Sequence, residues 1–205
     1  MNFLNSKNER REEKRDFVKP SQSEVEEAVK TLLKWAGDNP DREGLIETPA
    51  RVAKAFKEWF SGYDQNPEEI LAKTFEDVAG YSEPVILKGI RFESFCEHHL
   101  APIIGVAHVC YFPKDRVVGI SKIARLVDAF SKRLQVQEKM TVQIADTLQK
   151  VLKPRGTAVL VEGDHHCMCT RGVHKTDSKM ISSAFTGDYL EDNNLKTEFY
   201  RLINC

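Results

Sequence analysis

Between Arg91 and Gly105 the sequence reads RFESFCEHHLAPIIG, setting a cysteine, a glutamate and two histidines side by side between apolar runs. A second reactive stretch, EGDHHCMCTRG at 162–172, supplies His165, His166, Cys167 and Cys169. Thiolate and imidazole are the donors zinc prefers, and ligands from two strand ends can converge if those strands are near neighbours in one sheet. A lone CEHH is ordinarily a surface cluster; a second Cys/His cluster turns the reading towards a metal. Two arrangements are open. Cys96, His99, Cys167 and Cys169 can close a Cys₃His structural site, or Cys96, His99 and one later cysteine can leave a coordination position for water. The second leaves His98 and His165 as surplus imidazoles, suited to general acid/base work beside an activated water. A structural zinc has no use for them.

Other residues suggest an anionic ligand. In VVGISKIARLVDAFSKR, Ser121 reads as a helix N-cap, with Lys122 and Arg125 one turn apart on the helix it opens. Helix-start N–H groups with two cations suit phosphate, although a solvated basic face is the commoner reason for such a pair. Arg171 and Lys175 follow the second Cys/His stretch and strengthen the phosphate reading, whereas Arg51, at the start of an exposed helix, is a weaker candidate. In QVQEKM, Gln137 and Glu138 precede a long helix. A carboxylate there can accept paired hydrogen bonds from the N1–H and 2-amino group of a guanine, while its plain reading is favourable charge in a first helical turn.

These residues need a scaffold, and 205 residues at 41% hydrophobic and 30% charged suffice for one globular domain with a smaller appendage. With 30 basic and 31 acidic side chains, nothing global steers the chain to nucleic acid or an anionic membrane. No run approaches the roughly 20 apolar residues of a membrane span. The N-terminal stretch lacks the apolar segment of a signal peptide, so a cytoplasmic location is expected. Five cysteines (96, 110, 167, 169 and 205), an odd number, then favour metal binding or free thiols over a disulfide framework.

Along the chain, residues 1–20 read as a charged, disordered tail, residues 21–80 as a helical segment and 81–205 as the catalytic domain. SQSEVEEAVKTLLKWAG carries a capping box, Ser21 with Glu24, and ends at Gly37. ETPARVAKAFKEWFSG opens at Thr48 and Pro49 and stops at Gly62, and NPEEIL starts a short third helix. VILKGIRFESF and IIGVAHVCYFP read as neighbouring strands. Two amphipathic helices follow, the first presenting Ile123, Leu126, Val127, Phe130 and Leu134, the second Met140, Ile144, Leu148, Val151 and Leu152. TAVLVEG, SSAFTGDY and EFYRLI read as further strands. The order gives an α+β fold, a mainly antiparallel sheet with helices on one face.

The stretches SFCEHHLAPIIG, GISKIARLVDAFSKRLQVQEKMTVQIADTL, HHCMCTRGV and SSAFTG resemble GTP cyclohydrolase I, over nearly all the chain from Ser21 onward. The resemblance implies the tunnelling fold, an antiparallel sheet with two long antiparallel helices on one side. It implies a catalytic Zn²⁺ held by Cys96, His99 and Cys167, with Cys169 outside the ligand set, and proton transfer by His98 and His165. Ser121, Lys122, Arg125 and Arg171 match residues contacting ribose and triphosphate, with Ser121 a proton relay. Gln137 and Glu138 match a guanine-recognising pair, and Arg51 an arginine reaching in from a neighbouring subunit. His166 departs from the family, which commonly has an apolar residue there. The implied reaction is zinc-dependent hydrolysis of GTP with release of formate, then rearrangement to 7,8-dihydroneopterin triphosphate, first step towards tetrahydrofolate or tetrahydrobiopterin. The implied assembly is a toroidal homodecamer of two pentamers. Allosteric control is among the implied properties, and the residues identify no regulatory protein partner. The rivals are a zinc-stabilised binding module, which needs the closed site, a deazaguanine reductase, which does not need Cys96, His99 and Cys167 together, and a zinc purine deaminase, whose PCxxC signature is absent.

Overall fold

The computed structural model describes residues 18–75, 81 and 83–204. Of the expected tail only Val18 to Pro20 are among these, and they are exposed; the rest of the tail and Cys205 lie outside the described residues, as do the residues just before the expected boundary at 80/81. The described residues form two compact units that part between Ala55 and Phe56.

In the first unit, α1 (Gln22–Trp35) starts on the expected capping box. The Ser21 hydroxyl accepts from the Glu24 N–H and the Glu24 carboxylate accepts from the Ser21 N–H. The helix stops where Gly37 takes φ +93°, a conformation open to glycine. α2 (Thr48–Trp59) has Pro49 in its first turn and runs across the boundary between the units.

The second unit continues with a 3₁₀ turn (Ser61–Asp64) and α3 (Pro67–Leu71), capped by the Asn66 side chain. Gly62 is required in that turn. A Cβ there would meet Ala129 O at 2.5 Å and Lys132 O at 2.8 Å, so the turn packs backbone to backbone on the helix that ends near residue 131. β1 (Thr74–Phe75) pairs with β4 (Val117–Val118), a small ladder the sequence did not suggest. The main sheet contains β2 (Val85–Cys96), β3 (Pro102–Phe112), β5 (Leu134–Gln135), β6 (Gly156–His165) and β7 (Met180–Gly187), in the order β5-β2-β3-β6-β7. Every pairing is antiparallel except β5 on β2.

Two long helices, α4 (Ile120–Ser131) and α5 (Gln137–Leu152), cover one face of the sheet. Ile123, Leu126, Val127 and Phe130 from α4 and Met140, Ile144 and Leu148 from α5 bury against Phe92, Ile103, Ala107, Val109, Val159 and Val161. Each such side chain stabilises the fold by about 1.5–3 kcal/mol relative to exposure. Leu134 was expected to extend the first helix, but α4 stops at Ser131 and Leu134 pairs with Phe95 in β5. Arg133 holds that stop, its Nε donating to Ala129 O and Gly62 O.

The opposite face corrects a second expectation. EFYRLI is not a strand but the end of α8 (Asn193–Ile203), which follows the short α7 (Asp188–Glu191) and starts where Asp192 caps the Asn194 N–H. Phe199 and Ile203, one turn apart, bury with Tyr189 against Cys110, Phe112, Ala158 and Leu160. The sheet is thus covered in part on both sides, which is why β3 and β6 read as nearly continuous apolar runs. Among the described residues no helix is long and apolar enough to cross a membrane.

Candidate metal centre

The register of the sheet brings the two reactive stretches together. β2 and β6 both run antiparallel to β3, so they run parallel to one another and their C-terminal ends lie at the same end of the sheet. There Phe95 pairs with Pro102 and His165 pairs with Ile103, placing the two stretches on either side of the start of β3. After Cys96 the chain makes a tight turn, in which Cys96 O accepts from the His99 and Leu100 N–H groups and Cys96 N–H donates to Ala101 O. Leu100 closes it with φ +54°, a left-handed conformation that is costly for a branched residue away from a site that needs it. Across the sheet, β6 passes directly into α6 (His166–Cys169), one turn that carries Cys167.

Ligand atoms of Cys96, His99 and Cys167 all lie within 4.8 Å of one another. His98 Nδ1 is as close to Cys96 Sγ (3.7 Å) as His99 Nδ1 is (3.8 Å), but His98 is not part of the group that includes Cys167. Cys169 is outside the group as well, its thiol donating to Lys175 O at 3.3 Å. His166 is half-buried and also outside it.

The donor set suits a metal. Burial, with Cys96 adding to it, pushes the Cys167 thiol up. Two thiols this close resist losing both protons, and a divalent cation between them reverses that preference. Two sulfurs and an imidazole form a soft, three-donor set whose chemistry would suit a zinc ion.

Around the group, His98 is exposed and 3.9 Å from the Glu97 carboxylate. His165 is half-buried, and burial pulls its imidazole below the ordinary range against the opposing influence of Glu138 and Asp164. Ser121 is not the cap of α4. Gly119 holds that position in an extended conformation and Ser121 lies exposed in the first turn. Lys122 is half-buried, while Arg125, Arg171, Lys175 and Glu138 are exposed. Arg51 is exposed in the first unit and ion-paired with Glu47.

Gln137 differs most from its sequence reading. It is the first residue of α5 and only 1% exposed. Its amide nitrogen donates to Val161 O (3.1 Å), Met180 O (3.0 Å) and Ser182 Oγ (3.1 Å), and its Oε1 lies 2.9 Å from His165 Nε2. The amide is therefore occupied at both ends by the protein. Ser182 and Thr141, which support it, carried no sequence signal of this role; Gly163, glycine where its strand passes Gln137 Oε1, is the one local hint.

With this geometry in place, comparison with known proteins gives a consistent result. The family described as GTP cyclohydrolase I matches residues 25–204. A GTP cyclohydrolase 1 from Maricaulis maris (strain MCS10) is 60% identical over 186 residues, 91% of this chain and 91% of that protein. One from Brucella canis (strain ATCC 23365 / NCTC 10854 / RM-666) is 57% identical over 185 residues, 90% of this chain and 87% of that protein. A solved structure, of the archaeosine synthase QueF-Like in the apo form, aligns with a TM-score of 0.43 at 21% identity, covering 53% of this chain and 96% of that one.

Proposed function

The chain belongs to the GTP cyclohydrolase I family and shares its tunnelling fold, and from that premise we propose that its hydrolase activity on GTP is zinc-dependent and yields 7,8-dihydroneopterin triphosphate and formate. The observation that carries the zinc reading is the convergence of Cys96, His99 and Cys167 donor atoms within 4.8 Å, with Cys169 excluded. Bound there, zinc supplies Lewis-acid activation of water at near-neutral pH, which attack on C8 of the guanine imidazole ring requires.

The chain's own residues do the rest. His165, half-buried at the end of β6, delivers a proton at N7 as the imidazole ring opens, and exposed His98 serves the following hydrolysis that releases formate. Glu138, exposed in the first turn of α5, takes the N1–H and 2-amino group of guanine, a pairing that adenine cannot offer. Lys122, Arg125 and Arg171 bind the triphosphate, which is retained throughout, so they serve binding and not phosphoryl transfer. Ser121, exposed at the start of α4, relays a proton during the ribose rearrangement. Arg51 completes the site from a neighbouring subunit of a homodecamer, and the reaction takes place in the cytoplasm as the first step towards a reduced pterin.

The test is direct. Zinc-loaded protein incubated with GTP should release formate and give a product that becomes a fluorescent pterin on oxidation. Folded, metal-loaded protein that yields neither would refute the reading.

A further inference from the structure

Gln137 has a polar side chain that is 99% buried and hydrogen-bonded at both ends, yet it lies beside a half-buried imidazole at the reactive end of the sheet. Its hydrogen-bond partners fix which way its amide faces. Val161 O and Met180 O can only accept, so the nitrogen must face them and Oε1 must face His165. The rest of the network agrees. The Thr141 hydroxyl donates to Gln137 O (2.7 Å), which leaves the Ser182 hydroxyl to donate to Thr141 Oγ1 (2.7 Å) and to accept from the Gln137 amide (3.1 Å). Each hydroxyl proton is used once, and reversing the amide would set its oxygen against two carbonyls. An amide oxygen accepts and never donates, so the ring nitrogen facing it must carry a hydrogen.

We propose that Gln137 is a positioning residue: it holds His165 in the tautomer protonated at Nε2, leaving Nδ1 as the ring nitrogen that first takes up a proton from the attacking water and then passes it to N7 of the substrate. The inference rests on His165 acting in proton transfer, as proposed above. It also separates neighbours that the sequence pairs together, since Glu138 recognises the base while Gln137, one residue earlier and turned into the protein, orients a histidine. The space for this contact comes from Gly163, where a Cβ would lie 2.7 Å from Gln137 Oε1. The network reaches α5, β6 and β7 through Thr141, Val161 and Ser182, so the imidazole is braced by three elements of the fold.

The test compares zinc-loaded wild type, Gln137→Met, Ser182→Ala and Glu138→Ala on GTP and on inosine triphosphate, which keeps the imidazole ring but lacks the 2-amino group. Gln137→Met should lower kcat about ten- to a hundredfold on both substrates, leaving KM for GTP and the preference for GTP nearly unchanged. Ser182→Ala should show the same pattern more weakly, and Glu138→Ala should instead erode the preference. Nitrogen NMR of histidine-labelled wild type should find His165 protonated at Nε2, and Gln137→Met should show a mixture of tautomers. A Gln137 variant that keeps kcat and loses the preference for GTP would overturn the proposal, as would a wild-type His165 protonated at Nδ1. If Gln137→Met does not fold, Ser182→Ala and the wild-type spectrum still decide. Wild type that releases no formate refutes the parent reading alone, because the tautomer is read independently of turnover.

Discussion

Replacing Gly163 by alanine tests how tightly His165 is held without removing any polar group. The new Cβ would lie 2.7 Å from Gln137 Oε1 and 3.1 Å from Ile103 Cγ2, whereas ordinary contact begins near 3.4 Å. Gly163 has no left-handed φ, so alanine strains no backbone there. What must give way is the end of the Gln137 side chain, by about 0.7 Å to reach ordinary contact, enough to break a 2.9 Å bond to His165 Nε2 if the oxygen moves away from it. Losing that bond costs about 1 kcal/mol, or about 1–3 if Oε1 is left without a partner. Reduced freedom of the unfolded chain returns about 0.4–1 kcal/mol. Net destabilisation is therefore at most about 2.6 kcal/mol, a drop in Tm of several degrees for a chain of this size. Activity should suffer more, because an unrestrained imidazole no longer presents one nitrogen to the substrate; kcat should fall by about tenfold or more. Thermal unfolding beside steady-state formate release measures both. Unchanged kcat in a folded variant would refute the view that this contact holds the histidine, and failure to fold would refute the view that only a side-chain end has to move.

Three further outcomes follow from the same geometry. Chelation of the metal should abolish formate release, and zinc should restore it; full turnover in metal-free protein, checked by elemental analysis, would remove Cys96, His99 and Cys167 from the mechanism. Cys169→Ser should keep its metal content and its activity within about twofold, since that thiol loses only a weak hydrogen bond to Lys175 O; loss of metal would restore the closed Cys₃His alternative. Burial holds the His108 imidazole below its ordinary range, with Nδ1 lacking a hydrogen-bond partner among the described residues. The unfolded chain therefore takes up that proton first as pH falls, so stability present above about pH 6.5 declines below it. His108→Leu should shrink the fall in urea midpoint between about pH 7.5 and about pH 5; an identical fall would exclude His108 as its source.

How far the sequence could be read depended on the range of the interactions involved. The ligand set was legible because both reactive stretches directly follow strand-like runs, and it takes only β3 between two strands to join them. Two errors at helix ends arose from local competition. Serine is a strong capping residue and so outcompetes Gly119 as a cap signal, and Leu134 falls at helical spacing from Phe130 although Arg133 ties the end of α4 to Gly62. EFYRLI by itself is too short to show its period; from Asp192 onward, Leu195, Phe199 and Ile203 have the spacing of a capped helix. The role of Gln137 was illegible for a different reason. Its partners Val161 and His165 on β6 and Met180 and Ser182 on β7 lie far along the chain, and no periodicity in one segment encodes a contact with two others.

The phase of Cys96 depends on a feature well away from it. Between Leu87 and Ile90 the pairing of β2 with β3 shifts, so that Lys88 and Gly89 together oppose His108, and Gly89 takes φ +73° to make the bulge. Before the bulge, Val85 and Leu87 face the core under α4 and α5; after it, Ile90, Phe92 and Cys96 do. The inward-facing series therefore changes from odd to even positions at Gly89. Were Lys88 and Gly89 paired in register with no bulge, strict alternation from Val85 would turn Cys96 towards the α8 face, on the far side of the sheet from the core it now shares with Cys167. The strand end supplies the position of the ligand, but the bulge supplies its orientation, and the half-buried His108 opposite that bulge lies where the two are reconciled.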